Sequence, residues 1–342
     1  MDVSKLIREN VKALMPYSSA RDEFSSVADV YLDANENPFE NGVNRYPDPY
    51  QNKVKSKLSQ IKGVSEKNIL LGNGSDEVLD LIYRAFCEPL QDNIITSPPT
   101  YGMYKVLAGI NNVENRIAPL NKDFSLDFDG IKSKVDAQTK LIFVCSPNNP
   151  SGNSLDDVII EKMLSKLNCI VVIDEAYIDF TDKKSWAIRL SEFPNLIVCQ
   201  TLSKAWGLAG IRLGICFASE YIIGILNKIK PPYNINQLTQ NRALEVLEDE
   251  VQFSNNLKVI LSEKKNLEAS MIELPLVKKI IPSDSNFFLA QFESPKHVFD
   301  TLMNQGIVVR DRSKELHCEG CLRITVGSPE ENIKLIEALR KI

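Results

Sequence analysis

Short apolar runs recur through the middle of the chain and are separated by stretches of helical length. The runs cover residues 93–97, 140–146, 169–174, 195–201 and 211–218. Most are nearly continuous in apolar and β-branched residues, which is typical of strands buried on both faces of a sheet. Between these runs, the apolar positions of 75–86 and 154–167 follow helical spacing. This alternation predicts an α/β fold with a mainly parallel central sheet and helices on both faces.

The pattern changes after Pro231 and Pro232. A long helical stretch at about 236–270 is followed by shorter strand candidates and a closing helix; the strand candidates are 285–292, 306–311 and 321–327. This order predicts a second, smaller α+β domain. We therefore expect three parts: an N-terminal arm at 1–30 that packs with the small domain, a large domain at 31–232 and a small domain at 233–342.

Composition excludes several classes of protein. The chain has 342 residues and a net charge of −5, and mild acidity argues against a nucleic-acid partner. It has two histidines, so a multi-histidine metal centre and a histidine-assisted nucleophile are both disfavoured. The N-terminus lacks the pattern of a secretory signal, and no run approaches the roughly 18 apolar residues that span a membrane. With seven cysteines, an odd number, we expect no disulfide framework and a reduced, cytoplasmic protein.

Cys318 and Cys321 form a single C-x-x-C motif beside His317. A zinc site there would have three possible ligands close together and no second pair to complete it. This favours a loop with incidental thiols, and we predict no metal.

Polar side chains follow three of the predicted strands directly. Asn149 lies in the loop SPNNPSG, Asp174 and Tyr177 lie in DEAY, and Ser203 and Lys204 follow the strand at 195–201. Arg212 lies eight residues beyond the lysine. Because ligands bind outside the carboxyl ends of strands in open α/β sheets, we expect these side chains to form one site.

This set of side chains matches the requirements of pyridoxal phosphate chemistry. Partial desolvation lowers the pKa of a lysine such as Lys204, and a neutral amine forms a Schiff base with a carbonyl. A carboxylate such as Asp174 is the usual partner of the pyridinium nitrogen of that cofactor. Each residue alone also has an ordinary structural explanation, such as a solvated charge; their order along the chain favours the cofactor.

A candidate phosphate site precedes the helix at 75–86. The segment GNGSDE (72–77) offers backbone N–H groups and a hydroxyl at a helix N-terminus, where anions bind. Taken alone, it is equally well explained as a turn with Ser75 as the helix cap. It is neither a dinucleotide-binding G-x-G-x-x-G nor a Walker loop, which disfavours a nucleotide-binding protein.

At these motifs the chain resembles the fold-type I pyridoxal-phosphate aminotransferases, and within them the histidinol-phosphate aminotransferase branch. The motifs run almost end to end: MPYSSAR (15–21), LDANENP (32–38), NRYPDP (44–49), GNGSDE (72–77), PPTYGMY (98–104), SPNNPSG (146–152), DEAYIDF (174–180), TLSKAWGLAGIRLG (201–214), NFFLA (286–290) and CLRITVGSPEEN (321–332). SPNNPSG and TLSKAWGLAGIRLG mark the broad aminotransferase class, whereas RYPDP, DEAYIDF and CLRITVG are more particular to this branch.

The resemblance implies a role for each matching residue. Lys204 would be the Schiff-base lysine and proton carrier, Asp174 would pair with the pyridine nitrogen, Asn149 and Tyr177 would hold the phenolic oxygen, and Tyr101 would stack on the ring. The implied phosphate ligands are Gly74, Ser75, Ser203 and Arg212, and Asp76 is a further implied cofactor-binding residue. The implied substrate contacts are Tyr17, Tyr46, Asn149, Arg310 and Arg323. The resemblance also implies a homodimer in which Tyr46 reaches the site and the cofactor of the neighbouring subunit.

The implied reaction is transamination between histidinol phosphate and 2-oxoglutarate, giving imidazole acetol phosphate and glutamate. Two alternatives stay open at this point: a decarboxylase of threonine phosphate and an aminotransferase of aromatic amino acids. A non-catalytic regulatory domain of this fold is disfavoured because Lys204 and Asp174 are both present.

Overall fold

In the computed structural model, which describes residues 1–16 and 29–342, the apolar runs form a seven-stranded sheet. The strands are β1 (Ile69–Asn73), β2 (Asn93–Thr96), β3 (Glu114–Ile117), β4 (Thr139–Cys145), β5 (Ile170–Asp174), β6 (Leu196–Thr201) and β7 (Leu213–Ala218). Their order across the sheet is β1-β7-β6-β5-β4-β2-β3. Only β7 runs antiparallel to its neighbours, and the other adjacent pairs are parallel.

Apolar layers cover both faces of this sheet. Successive strand residues alternate between two core clusters: Val171 and Ile173 belong to one, and Ile170 and Val172 to the other. The described helices of this part are α1 (Glu9–Ala13), α2 (Asn52–Lys62), α3 (Ser75–Phe86), α4 (Met103–Ile110), α5 (Phe128–Lys134), α6 (Asp157–Lys166) and α7 (Glu220–Ile229). The predicted α/β fold with a mainly parallel sheet is confirmed.

A smaller antiparallel sheet follows, also as predicted. Its strands are β8 (Val277–Ile280), β9 (Phe287–Phe292), β10 (Arg310–Asp311) and β11 (Cys321–Thr325), in the order β10-β11-β9-β8. Four helices accompany them: α8 (Gln237–Glu248), α9 (Glu250–Ile272), α10 (Pro295–Asn304) and α11 (Pro329–Leu339).

Two elements differ from the sequence prediction. The stretch at 236–270 is two helices, because Asp249 leaves the helical conformation after α8 and its side chain caps α9 by accepting from Gln252 N–H. The predicted strand at 306–311 forms a ladder only at Arg310 and Asp311. It begins late because Gly306, with a φ of 75°, turns the chain at the end of α10.

The described start of the chain packs on the large sheet. Val3, Leu6 and Val11 are buried in the same cluster as α3 and α7, and Arg8 pairs with Glu88 at 2.9 Å. Residues 17–28 of the expected arm lie outside the described residues. The packing of the whole arm therefore stays a prediction. Within the described ranges, no helix is both long enough and apolar enough to cross a membrane.

Candidate active site

A cavity of about 390 Å³ opens at the carboxyl ends of β4, β5 and β6, between the two sheets. Eleven of the fourteen predicted site residues line it: Ser75, Asp76, Tyr101, Asn149, Asp174, Tyr177, Ser203, Lys204, Arg212, Arg310 and Arg323. Four further lining residues were not singled out from the sequence: Cys145, Ala176, Thr201 and Arg312. The parallel strands bring these segments together, since Cys145 on β4 pairs with Asp174 on β5 and Asp174 pairs with Cys199 on β6.

Asp174 is a buried carboxylate, 3% exposed, with a donor on each oxygen. The Tyr104 hydroxyl donates to Oδ2 at 2.8 Å, and the Ala176 N–H donates to Oδ1 at 3.1 Å. Burial raises the pKa of Asp174, while these two hydrogen bonds and the charge of Lys204 act in the opposite direction. Tyr104 is a residue that the sequence reasoning missed.

The Lys204 side chain projects into the cavity, and Nζ lies 5.5 Å from the centre of the Tyr177 ring. Partial desolvation lowers the pKa of this amine, repulsion from Arg323 adds to the effect, and Asp174 opposes it. A lowered pKa increases the fraction of neutral amine, which is the form that attacks a carbonyl or accepts a proton.

The start of α3 and Arg212 together form a group of hydrogen-bond donors at the edge of the cavity. Gly74 has a φ of 81° and donates its N–H to the Arg212 carbonyl at 2.9 Å. A Cβ at Gly74 would lie 2.5 Å from a guanidinium nitrogen of Arg212, so the glycine leaves the space that this side chain occupies. The first N–H groups of α3, the Ser203 hydroxyl and the Arg212 guanidinium are the donors that a phosphate requires.

Asp76 and Tyr101 form one wall of the cavity next to these donors. Asp76 Oδ2 lies 3.5 Å from an Arg212 nitrogen, and Asp76 Oδ1 accepts from the Tyr101 hydroxyl at 3.0 Å. The Tyr177 ring contacts Phe287 edge-on, with centroids 5.0 Å apart. Burial raises the pKa of both tyrosines, so both hydroxyls stay protonated as donors.

Three arginines form the opposite wall. Arg310 and Arg323 are directly paired across β10 and β11, and Arg312 lines the same cavity while it forms an ion pair with Glu315. Arg323 donates to Asn149 Oδ1 at 2.6 Å. Burial lowers the pKa of Arg323, and the charges of Arg312 and Arg310 add to this effect. The signal for Arg312 was present in the sequence as the second arginine of VVRDR.

Three predicted site residues lie outside this lining. Gly74 abuts it through Arg212, as described. Tyr46 lies elsewhere in the chain, stacked on Tyr233 with ring centroids 4.6 Å apart, beside a second cavity bounded by 43–47 and 236–238. Tyr17 lies outside the described residues.

The C-x-x-C segment packs away from the cavity. Cys318 and Cys321 are buried free thiols in the core cluster of the large sheet, and His317 Nε2 lies 3.2 Å from the Leu120 carbonyl oxygen. Among the described residues, no group of three or more histidine, cysteine, aspartate or glutamate side chains is arranged to hold a metal ion.

Comparison with known proteins identifies the family. The profile of the family described as Aminotransferase class I and II matches residues 18–339. The histidinol-phosphate aminotransferase of Christiangramia forsetii is 57% identical over 343 aligned positions, which cover all of this chain and 98% of that protein. Other relatives of the same name share 48–54% identity.

Solved structures show the same fold. The histidinol-phosphate aminotransferase from Sinorhizobium meliloti in complex with pyridoxal-5'-phosphate superposes with a TM-score of 0.79 at 23% identity, covering 87% of this chain and 82% of that one. The L-threonine-O-3-phosphate decarboxylase from Porphyromonas gingivalis superposes with a TM-score of 0.73 at 22% identity, covering 87% and 93%. At these identities the likeness concerns the fold alone. The full-length matches at high identity decide the family: the chain belongs to the class I and II aminotransferases, in the branch of the histidinol-phosphate aminotransferases.

Proposed function

We propose that this aminotransferase transfers an amino group between histidinol phosphate and 2-oxoglutarate, giving imidazole acetol phosphate and glutamate, with pyridoxal phosphate as cofactor. The observation that carries the proposal is the meeting of Lys204, Asp174 and three arginines in one cavity. The relatives of over 50% identity, which bear the name of this activity, support the choice of substrate.

The residues present fit the cofactor. The space at Gly74, the start of α3 and Arg212 suit its phosphate, and the buried Asp174 carboxylate suits its ring nitrogen. Asn149 receives a hydrogen bond from Arg323 on Oδ1, so its amide NH₂ is left as a donor, with the Tyr177 hydroxyl, for the phenolic oxygen. When bound, pyridoxal phosphate supplies a conjugated ring that delocalises the electron pair left at the substrate α-carbon.

The protein side chains supply the proton transfer, the charge and the closure of the cavity. Lys204 Nζ, in its neutral form, would be the base that accepts the α-proton of the amino donor, and as the ammonium it would donate that proton at the C4′ carbon of the cofactor. Asp174 would supply a negative charge for the ring nitrogen, and Tyr101 closes the cavity on one side. The proton transfers need no histidine, in keeping with a chain that has only two.

The arginine wall serves both halves of the reaction. The phosphate of the amino donor and the carboxylates of 2-oxoglutarate are all anions, and a guanidinium binds either bidentately. Arg323 and Arg310 lie side by side, which supports this role, and Arg312 adds a third positive charge. One anion site can therefore hold both substrates in turn, as a ping-pong cycle requires.

We also propose a homodimer in a reducing, cytoplasmic compartment. Apolar side chains that line the second cavity are exposed in the single chain, including Leu238 at 67% and Val43 at 52%. Large exposed apolar patches mark interaction surfaces. Tyr46 lies on this face, where a second copy would bring it to the neighbouring site. All seven cysteines are free and buried, which supports the compartment.

A substrate panel tests the proposed function. Purified holoenzyme is mixed with histidinol phosphate, threonine phosphate or phenylalanine, and the absorbance of the bound cofactor and released carbon dioxide are followed. We expect histidinol phosphate to convert the cofactor to its amine form fastest, without carbon dioxide. Release of carbon dioxide from threonine phosphate would instead establish the decarboxylase, since a solved enzyme of that name shares this fold. Lys204→Ala should lose the covalently bound yellow chromophore and the amino transfer, and transfer retained by that variant would contradict the mechanism.

A further inference from the structure

We propose that Tyr104 is a positioning residue for Asp174: its hydroxyl fixes the carboxylate and keeps it ionised for the ring nitrogen of the cofactor. The inference rests on the proposed function, since it assumes that Asp174 pairs with that nitrogen. It concerns a side chain that touches neither substrate nor cofactor in the roles assigned above.

The contact itself is direct. The Tyr104 hydroxyl lies 2.8 Å from Asp174 Oδ2, and both side chains are buried. Among the described residues, Tyr104 is the only side chain that donates a hydrogen bond to this carboxylate; the other donor is the Ala176 backbone N–H, on Oδ1. The two donors together hold the rotation of the carboxylate about its axis, and Tyr104 is the one that a side-chain substitution can remove.

The surroundings of Asp174 make this donor necessary. Its in-register neighbours on β4 and β6 are Cys145 and Cys199, whose thiols are weak donors. Asp76 adds a repelling negative charge, and Lys204 is the nearby cation. Burial and the Asp174 charge hold the pKa of Tyr104 well above its usual value, so its hydroxyl remains a donor. A hydrogen bond to the charged form favours ionisation of a buried acid.

A rigid aromatic stack holds the hydroxyl in place. Tyr104 stacks on Phe143 of β4 with centroids 4.8 Å apart, and Phe143 stacks on Tyr83 of α3 at 5.2 Å. The Tyr83 hydroxyl donates to the Tyr104 carbonyl oxygen at 2.7 Å. The Tyr104 ring is thus fixed by the same strand and helix that border the cavity.

The same stack supplies a matched control. Tyr104→Phe and Tyr83→Phe each remove one buried hydroxyl and one hydrogen bond, but only the first hydroxyl reaches Asp174. A role in folding alone would give the two variants similar behaviour. A role through Asp174 would separate them.

The experiment measures binding of pyridoxal phosphate and of its 1-deaza analogue, which has carbon in place of the ring nitrogen, to cofactor-free protein without amino substrate. For Tyr104→Phe we expect about ten- to a hundredfold weaker binding of pyridoxal phosphate, the effect of losing a hydrogen bond to a charged group, and little change for the analogue. The quantity to compare is the affinity for pyridoxal phosphate divided by the affinity for the analogue. For Tyr83→Phe we expect this ratio to stay at the wild-type value. Equal losses for both cofactors, or no loss, in Tyr104→Phe would overturn the inference.

Two further measurements keep the outcome unambiguous. If Tyr104→Phe does not fold, 4-aminophenylalanine at position 104 retains the ring and a weaker N–H donor, and we expect an affinity ratio below that of the wild type; an unchanged ratio refutes the role. If wild-type protein binds both cofactors equally well, the assumed pairing of Asp174 fails, and with it the proposed mechanism. The substrate panel above tests the choice of amino donor separately.

Discussion

Arg323, which we propose as a substrate ligand, also contacts a proposed cofactor ligand, because its guanidinium donates to Asn149 Oδ1 at 2.6 Å. Arg323→Lys keeps the positive charge and loses the planar fork and this hydrogen bond. We expect KM for 2-oxoglutarate and for the amino donor to rise together by about ten- to a hundredfold, with a smaller fall in kcat. Steady-state kinetics check this, with Arg116→Lys, a salt-bridged arginine remote from the cavity, as the control. Unchanged KM values would show that Arg323 does not bind substrate.

Glu175 follows Asp174 directly but is turned away from the cavity and is buried. Its carboxylate accepts from the Ser185 hydroxyl, the Trp186 N–H and the Gln200 amide, yet burial still raises its pKa to about 7. The unfolded chain loses this proton near pH 4.3, so the native state binds more protons between about pH 4.3 and 7. The free energy of unfolding should therefore fall by about 4 kcal/mol as the pH rises through that window.

Glu175→Gln should remove this pH dependence. The new amide has an acceptor available, since Gln200 Oε1 is buried without a partner in the described part of the chain. We expect the melting temperature of the cofactor-free variant, relative to wild type, to rise between pH 5 and pH 8. Glu248→Gln, at an exposed position of α8, should follow the wild type at both pH values. Parallel curves for Glu175→Gln and wild type would mean that Glu175 titrates alike in both states.

At the residue scale, the sequence was sufficient to predict the site residues that come directly after a strand. Lys204, Asp174 and Asn149 each follow a recognisable strand, and the edge of a parallel sheet brings such residues together. Tyr104 and Arg312 were missed for a physical reason. The partner of Tyr104 depends on how α4 packs against β4 and β5, and the direction of Arg312 depends on a two-residue ladder at β10.

At the scale of elements, continuous apolar runs predicted the strands well because these strands are buried on both faces. The break at Asp249 was missed because one residue both ends α8 and caps α9, without interrupting the helical composition. Strand direction was likewise not readable from composition. β7 returns antiparallel between β6 and β1, and this places Arg212 at the end of the sheet where α3 begins.

The junction of β1, α3 and β7 gives a prediction about one backbone position. Gly74 has φ 81° and ψ 163°, a conformation that nearly all other residues avoid, and a Cβ there would displace Arg212. We expect Gly74→Ala to lower the free energy of unfolding by about 1–3 kcal/mol and also to weaken cofactor binding at least tenfold.

Gly63→Ala is the matched control for this variant. Gly63 ends α2 with a φ of 66°, but a Cβ there meets nothing within 4 Å. It should lower stability by about 1 kcal/mol and leave cofactor affinity unchanged. Chemical denaturation and cofactor titration separate the two effects. Equal cofactor affinity in both variants would show that Arg212 and the start of α3 do not form the phosphate site.

At the scale of the whole molecule, the cavity is closed by parts that are distant in sequence. Lys204 and Asp174 come from the large sheet, whereas Arg310 and Arg323 come from the small one. Away from the cavity, the C-x-x-C segment also joins the two parts, because its thiols are buried in the core cluster of the large sheet and His317 Nε2 contacts the Leu120 carbonyl oxygen. The sequence favoured incidental thiols in this loop. Their burial in the core cluster of the large sheet depends on tertiary contacts that no local sequence pattern contains.

The proposed dimer makes a quantitative prediction, because its two sites would each combine residues of both copies. Lys204→Ala and Tyr46→Ala chains should each be nearly inactive alone. In a mixed dimer, one site unites the intact Lys204 of one chain with the intact Tyr46 of the other, and the second site carries both changes. After unfolding and refolding an equal mixture, half of the dimers are mixed, so activity should recover to about a quarter of wild type. A mixture that stays as inactive as its components would place Tyr46 in the site of its own chain or outside any site.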